Sequence, residues 1–178
     1  MDALYGIGVD LAIREGSAVW VGVDGHRVIN FSIITDWSFK RKSEVIKDPQ
    51  AVWARLRYTL KLNTRWLTNQ RCKVAVDWSQ EEIFMSGQKT VAMRKAFLTG
   101  ALFEWLEELG YHPEQCPPND VRSLLSLKRN CSKAHVVKFF EQVHLSSNLL
   151  SRWGMLNEHQ KDSIILGYCA AITSHNSK

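Results

Sequence analysis

The sequence predicts an α/β domain. Its mixed five-stranded sheet joins a three-strand antiparallel meander to two parallel strands, with helices on both faces. Three observations carry this. An Asp24-Gly25 pair stands between two β-rich runs, SAVWVGV and HRVINFSIIT, which is the strongest short signal for a hairpin. A short β-branched run, CKVAVDW (Cys72–Trp78), lies between two stretches of helical periodicity. The chain then closes on NEHQKDSIILGYCAAIT (Asn157–Thr173), a helix with an apolar body and a polar first turn.

In order, LYGIGVDLA (Leu4–Ala12) is apolar, carries glycines and reads as a buried first strand. The hairpin runs follow, and DWSFKRKSEVIKD (Asp36–Asp48) reads as a polar, basic loop. Pro49 suits the first turn of a helix whose apolar positions, Val52, Leu56, Leu60 and Trp66, recur at helical spacing. Its Arg55, Arg57, Lys61 and Arg65 read as a solvated face. Cys72–Trp78 is the fourth strand, and SQEEIFMSGQK a loop. Thr90–Gly110 is a long amphipathic helix stopped by Gly110. YHPEQCPP, with three prolines, allows only a short extended strand. Two short helices follow, one capped by Asn119 and one by Ser132.

The 178 residues suit one domain, spanning 1–178, with a sizeable core. Hydrophobic residues at 45% and charged residues at 23% exclude a disordered chain. The net charge of +5 permits a polyanionic partner without requiring one. Four scattered cysteines without a C-x-x-C argue against a zinc site and a disulfide framework, and fit a reducing cytoplasm. MDALYGIGVD has neither the basic region nor the apolar run of a signal peptide. FLTGALFEWL and SIILGYCAAI are too short to span a bilayer, so no membrane is expected.

Two acids sit where core residues are expected: Asp10 ends the first strand and Asp77 the fourth. If those strands pair in parallel, both acids lie at one sheet edge. The terminal helix can bring His159 and Asp162, spaced i, i+3 on one face, to the same edge. Singly, each acid is equally well read as a polar strand end or as a helix-start acid favoured by the dipole. Jointly, acids packed at low dielectric repel one another, and such a cluster usually persists because a cation neutralises it. Oxygen ligands with one imidazole suit Mg²⁺ or Mn²⁺.

These residues, in this order, resemble the RuvC-type Holliday-junction resolvases of the RNase H-like superfamily. GIGVDLAIREGSAVWVGV is similar to the first strand and turn, and VAVDW takes the place of the second strand-end acid. CPPNDVRSLLSLKRNCSKAHVVKFFEQV and NEHQKDSIILGYCAAIT resemble the basic stretch and the terminal helix. The resemblance implies an RNase H-like fold and a metal-dependent endonuclease that resolves four-way DNA junctions by paired nicks. It implies two Mg²⁺ or Mn²⁺ ions held by Asp10, Asp77, His159 and Asp162, with Lys133 near the scissile phosphate. Asp77 is preferred as the second acid, since Glu81 would lie past a convincing strand, although the family usually has Glu there. Leu11-Ala12 replaces the family's proline-glycine. Phe84 is placed to stack on bases, and Lys89, Arg94, Lys95, Arg122, Lys128 and Arg129 to hold the DNA backbone.

A two-fold symmetric junction further implies a homodimer; the Phe97, Ala101, Leu102 and Trp105 side of the long helix reads equally well as intradomain core or as the dimer surface, and the resemblance favours the dimer. The setting implied is the cytoplasm, of a bacterium or of a phage-infected host. The rival readings are a junction-binding module that does not cut and another RNase H-like nuclease. An actin-like sugar kinase, which also opens with G-x-D on a first strand, needs two such domains, and the chain is too short for both.

Overall fold

The structure is a computed structural model that describes residues 3–11, 15–38, 49–63, 72–77 and 89–173. The strands are β1 (Leu4–Leu11), β2 (Glu15–Asp24), β3 (Arg27–Ser38), β4 (Lys73–Asp77) and β5 (Pro113–Cys116). The helices are α1 (Pro49–Asn63), α2 (Lys89–Glu108), α3 (Pro118–Leu124), α4 (Lys133–Val143), α5 (Leu150–Gly154) and α6 (Glu158–Thr173). The five-stranded sheet has the order β3-β2-β1-β4-β5. Its first three strands are antiparallel, and β1–β4 and β4–β5 are parallel, as the sequence predicts.

Period-two alternation along β1 divides the molecule. Ile7, Val9 and Leu11 face a core shared with α1 and α2, through Leu56, Leu60, Leu98, Leu102 and Trp105. Gly6, Gly8 and Asp10 face α6. That helix is buried from Ser163 to Ala171. It is apolar all round because the sheet covers one side, while α3, α4 and α5 contribute Val121, Phe140 and Trp153 to the same cluster.

Four local expectations change. Asp24 pairs with Arg27, so the two-residue hairpin loop is Gly25-His26, and Gly25 at φ 58° sits where a type II′ turn places glycine. β3 continues to Ser38 through a segment expected as loop, because Trp37 is buried in the α1–α2 core. The N-cap of α3 lies two residues earlier than expected, at Pro117, with Pro118 at N1, so Asn119 is no cap. On α2, Leu102 and Trp105 are buried in the chain's own core rather than offered to a second copy, Trp105 edge-on to Trp53 at 6.4 Å; of the four residues expected on that surface, Phe97 alone stays well exposed. The 3₁₀ turn Ser147–Leu149 and α5, which escape the sequence patterns, seat Trp153 against Phe140 with centroids 5.7 Å apart.

Candidate active site

Asp10 is the last acid before β1 ends, on the strand face that meets α6, and it is only 7% exposed. The β1–β4 ladder ends at Val9↔Val76, which sets the backbone of Asp77 at the neighbouring strand end. The Asp77 side chain lies outside the described residues, as do Glu81 and Phe84 and the side chain of Lys89.

The first turn of α6 is built by reciprocal capping. Asn157 Oδ1 accepts from the Gln160 N–H at 2.9 Å, and Gln160 Oε1 accepts from the Asn157 N–H at 3.0 Å. Gln160 Nε2 also donates to Asp36 Oδ2 at 2.7 Å, tying this turn to β3. One turn later, the Ser163 hydroxyl accepts from the Asp10 N–H at 3.1 Å and donates to the Ser17 carbonyl at 2.8 Å. Asp10 and Ser17 are register partners across β1 and β2, so one buried hydroxyl fixes the backbone of both. Ser163→Ala should therefore cost about 1–3 kcal/mol, since it strips a partner from two buried backbone groups. Thermal unfolding checks this as a Tm drop of about 2–4 °C per kcal/mol, and an unchanged Tm would remove the bridge from the list of stabilising contacts.

So anchored, α6 delivers both predicted side chains. His159 Nδ1 donates to Asp10 Oδ2 at 2.6 Å, and its Nε2 stands 3.5 Å from Glu15 Oε2. Partial burial opposes a charged imidazole, but the Asp10 hydrogen bond and the charges of Asp10, Glu15 and Asp162 outweigh it and raise the His159 pKa. Asp162 Oδ2 meets Lys133 Nζ at 2.5 Å, and Glu158 Oε2 lies 3.9 Å from the same ammonium. Desolvation disfavours the charged lysine, yet Asp162, with Asp10 and Glu158 behind it, raises its pKa above the ordinary value.

Asp10, Lys133, His159 and Asp162 line one open cleft of about 350 Å³, together with Lys95 and Arg122. Arg94 is half-buried on α2, and Lys128 and Arg129 are exposed on the α3–α4 connection. Arg122 turns donors inward: Nε reaches the Cys131 carbonyl at 3.1 Å and Nη1 reaches Asn119 Oδ1 at 3.2 Å. Glu15 and Ser163 were not foreseen. Nothing in the spacing of Glu15 marks it, because it meets His159 only through the fold. Ser163 had one signal, a hydroxyl beside Asp162 at the start of an otherwise apolar helix body.

Two carboxylates and an imidazole on one cleft are the donor chemistry of a hard divalent cation. Among the described residues no three His, Cys, Asp or Glu groups converge as a ready ligand cluster. The Asp10 and Asp162 carboxylates are instead engaged by His159 and Lys133. The donor types fit a cation, with Asp77 at the adjoining strand end as the position that would complete the set.

No helix among the described residues is long and apolar enough to cross a membrane. No family model matches the chain, and no curated protein matches it in sequence. Solved structures do. RuvC of Thermus thermophilus superposes with a TM-score of 0.69 at 16% identity, covering 98% of this chain and 97% of that one. RuvC of T. thermophilus in complex with a Holliday junction substrate gives 0.66 at 16% identity, with 98% and 96% covered. The yeast mitochondrial Holliday junction resolvase gives 0.58 at 18% identity, with 93% and 75% covered. With its mixed sheet, its helices on both faces and its terminal helix on the first strand, the chain has the fold of the RuvC-type resolvases.

Proposed function

We propose that the chain, as a single RNase H-like domain over residues 1–178, is a divalent-metal-dependent endonuclease that resolves four-way DNA junctions. The observation that carries this reading is the convergence of buried Asp10 with His159, Asp162 and Lys133 on one cleft of a RuvC-type fold. One of the similar structures is bound to a Holliday junction, which gives the substrate class its support.

Mg²⁺ or Mn²⁺, two ions in the full reading, would be held by Asp10, Asp162, His159 and Asp77, and when bound supplies Lewis-acid polarisation and a nucleophile from water at neutral pH. The chain's own residues do the rest. Lys133 stays protonated at neutral pH, since its carboxylate neighbours raise its pKa, and it offsets charge building on the phosphate oxygens. His159, held between Asp10 and Glu15, keeps a proton on Nδ1 directed at Asp10. Asp162 holds the Lys133 ammonium at the cleft wall. Lys95 extends the positive wall, and Arg94, Lys128 and Arg129, with Lys89 and Phe84, would track the DNA beyond it.

Symmetric nicking of a two-fold junction calls for two copies of the chain. Among the described residues of α2, Met93 and Phe97, 73% and 40% exposed, are large apolar side chains left for such a contact. The proposed setting is the cytoplasm.

The test is a labelled four-way junction incubated with the protein in Mg²⁺ and in EDTA. Paired, symmetric, EDTA-sensitive nicks are expected. Tight junction binding without cleavage in Mg²⁺ or Mn²⁺ would overturn the nuclease reading and leave a binding module. In the same assay Asp77→Asn should lose activity and Glu81→Gln keep it; the reverse would transfer the second acid to Glu81.

A further inference from the structure

The connection between α3 and α4 carries Lys128 and Arg129 and leads into Lys133, whose side chain is 58% exposed. Something outside the lysine must therefore set where its ammonium stands. Ser132 fixes the start of α4, accepting from the His135 N–H at 3.2 Å. The residue before it, Cys131, offers its carbonyl to Arg122 Nε at 3.1 Å.

Arg122 grips this connection at both ends. Its own carbonyl accepts from the Leu127 N–H at 2.7 Å, and its Nη1 is braced on Asn119 Oδ1 at 3.2 Å within α3. Just before the first of these grips the chain reverses at Ser126, whose φ of 57° makes it the single non-glycine residue with positive φ among the described residues. That conformation is uncommon for a residue with a Cβ and persists where its surroundings impose it. The Cys131 N–H closes a further turn on the Lys128 carbonyl at 3.1 Å. The connection is thus a folded loop clasped by one arginine, through its backbone carbonyl at Leu127 and its guanidinium at the Cys131 carbonyl, and it delivers Lys133 to Asp162 at 2.5 Å.

We propose that Arg122 is a positioning residue. It clasps the α3–α4 connection and thereby holds Lys133 on Asp162, acting on the DNA phosphate through that lysine instead of contacting the backbone itself. This rests on the nuclease reading for its catalytic consequence, but not for the clasp.

Arg122→Ala and Arg122→Lys, compared with wild type, test it through three readouts: amide hydrogen exchange over residues 127–136, single-turnover cleavage at saturating protein, and junction affinity across a salt series. For Arg122→Ala, exchange at Leu127, Cys131 and Val136 should quicken by about tenfold or more, as their N–H bonds belong to the clasped loop and cap. Cleavage at saturation should fall about 10–100-fold, the size seen when an outer partner of a site residue is removed. Junction affinity should stay within about twofold with an unchanged salt slope. Arg122→Lys, which can keep one of the two side-chain bonds, should recover part of the rate. If instead Arg122→Ala weakens binding, lowers the salt slope by about one and keeps its saturating rate, Arg122 is a phosphate contact and the proposal is overturned. Unaltered exchange over 127–136 overturns it equally. A wild-type protein that cuts no junction would defeat the proposed function, and the exchange readout would still decide the clasp.

Discussion

Asp10→Asn is expected to reduce metal-dependent junction cleavage by at least about 10²-fold while leaving the protein folded. The amide has the shape of the carboxylate, and its Oδ1 can still accept from His159 Nδ1. The backbone bond from the Asp10 N–H to Ser163 is untouched. What disappears is one negative charge at a position only 7% exposed, where interaction with a cation is far stronger than in bulk water. The loss reaches the neighbours as well. Asp10 raises the pKa of both His159 and Lys133, so its neutralisation shifts each downward and weakens the hold on the His159 proton. Single-turnover nicking of a labelled junction measures the effect, with thermal unfolding and junction binding as controls. A variant that unfolds at the wild-type temperature, binds the junction and still cuts at a comparable rate would remove Asp10 from the chemistry.

Much of this site is legible in the chain because polar residues interrupt apolar runs there. Asp10 closes an apolar strand, and His159 and Asp162 open a helix whose body is otherwise buried, so each breaks a pattern that burial alone would continue. The parallel pairing of β1 and β4 follows from the helix between them. What periodicity leaves open is the identity of the surface that covers an apolar stripe. Leu102 and Trp105 satisfy a dimer face and an internal core equally well on a helical wheel, and only the fold shows that the sheet and α1 take them. Trp37 is hidden by the opposite effect: one buried aromatic in a polar run gives no pattern to find. Glu15 and Ser163 act across |i−j| of more than a hundred residues, one on His159 and one on Asp10, and such contacts leave no local trace.

Gly8→Ala should cost about 3 kcal/mol or more, and function should fall with it. A Cβ on Gly8 would be driven into the Ser163 carbonyl oxygen and the Gly167 backbone nitrogen, while Leu166 Cβ would lie 2.8 Å away. Two of these obstacles are main-chain atoms of α6, which no rotamer change can move. The seam is glycine on both sides: a Cβ on Gly167 would sit 2.7 Å from Val21 Cγ2 and 3.1 Å from the Gly8 nitrogen. Helix and strand therefore meet backbone to backbone, and the only relief for Gly8→Ala is for α6 to lift from β1. That lift acts where the site is assembled, because Ser163 reaches the Asp10 N–H, and His159 its carboxylate, only while α6 lies at this depth. Gly100→Ala is the control, since its Cβ would meet nothing within 4 Å in the middle of α2, and removing a helix-interior glycine should stabilise by about 0.5–1 kcal/mol. Urea unfolding of the two variants separates the cases. A Gly8→Ala protein within about 1 kcal/mol of wild type would mean that the terminal helix can find another depth. The glycine seam would then no longer be what sets the distance between Asp10 and His159.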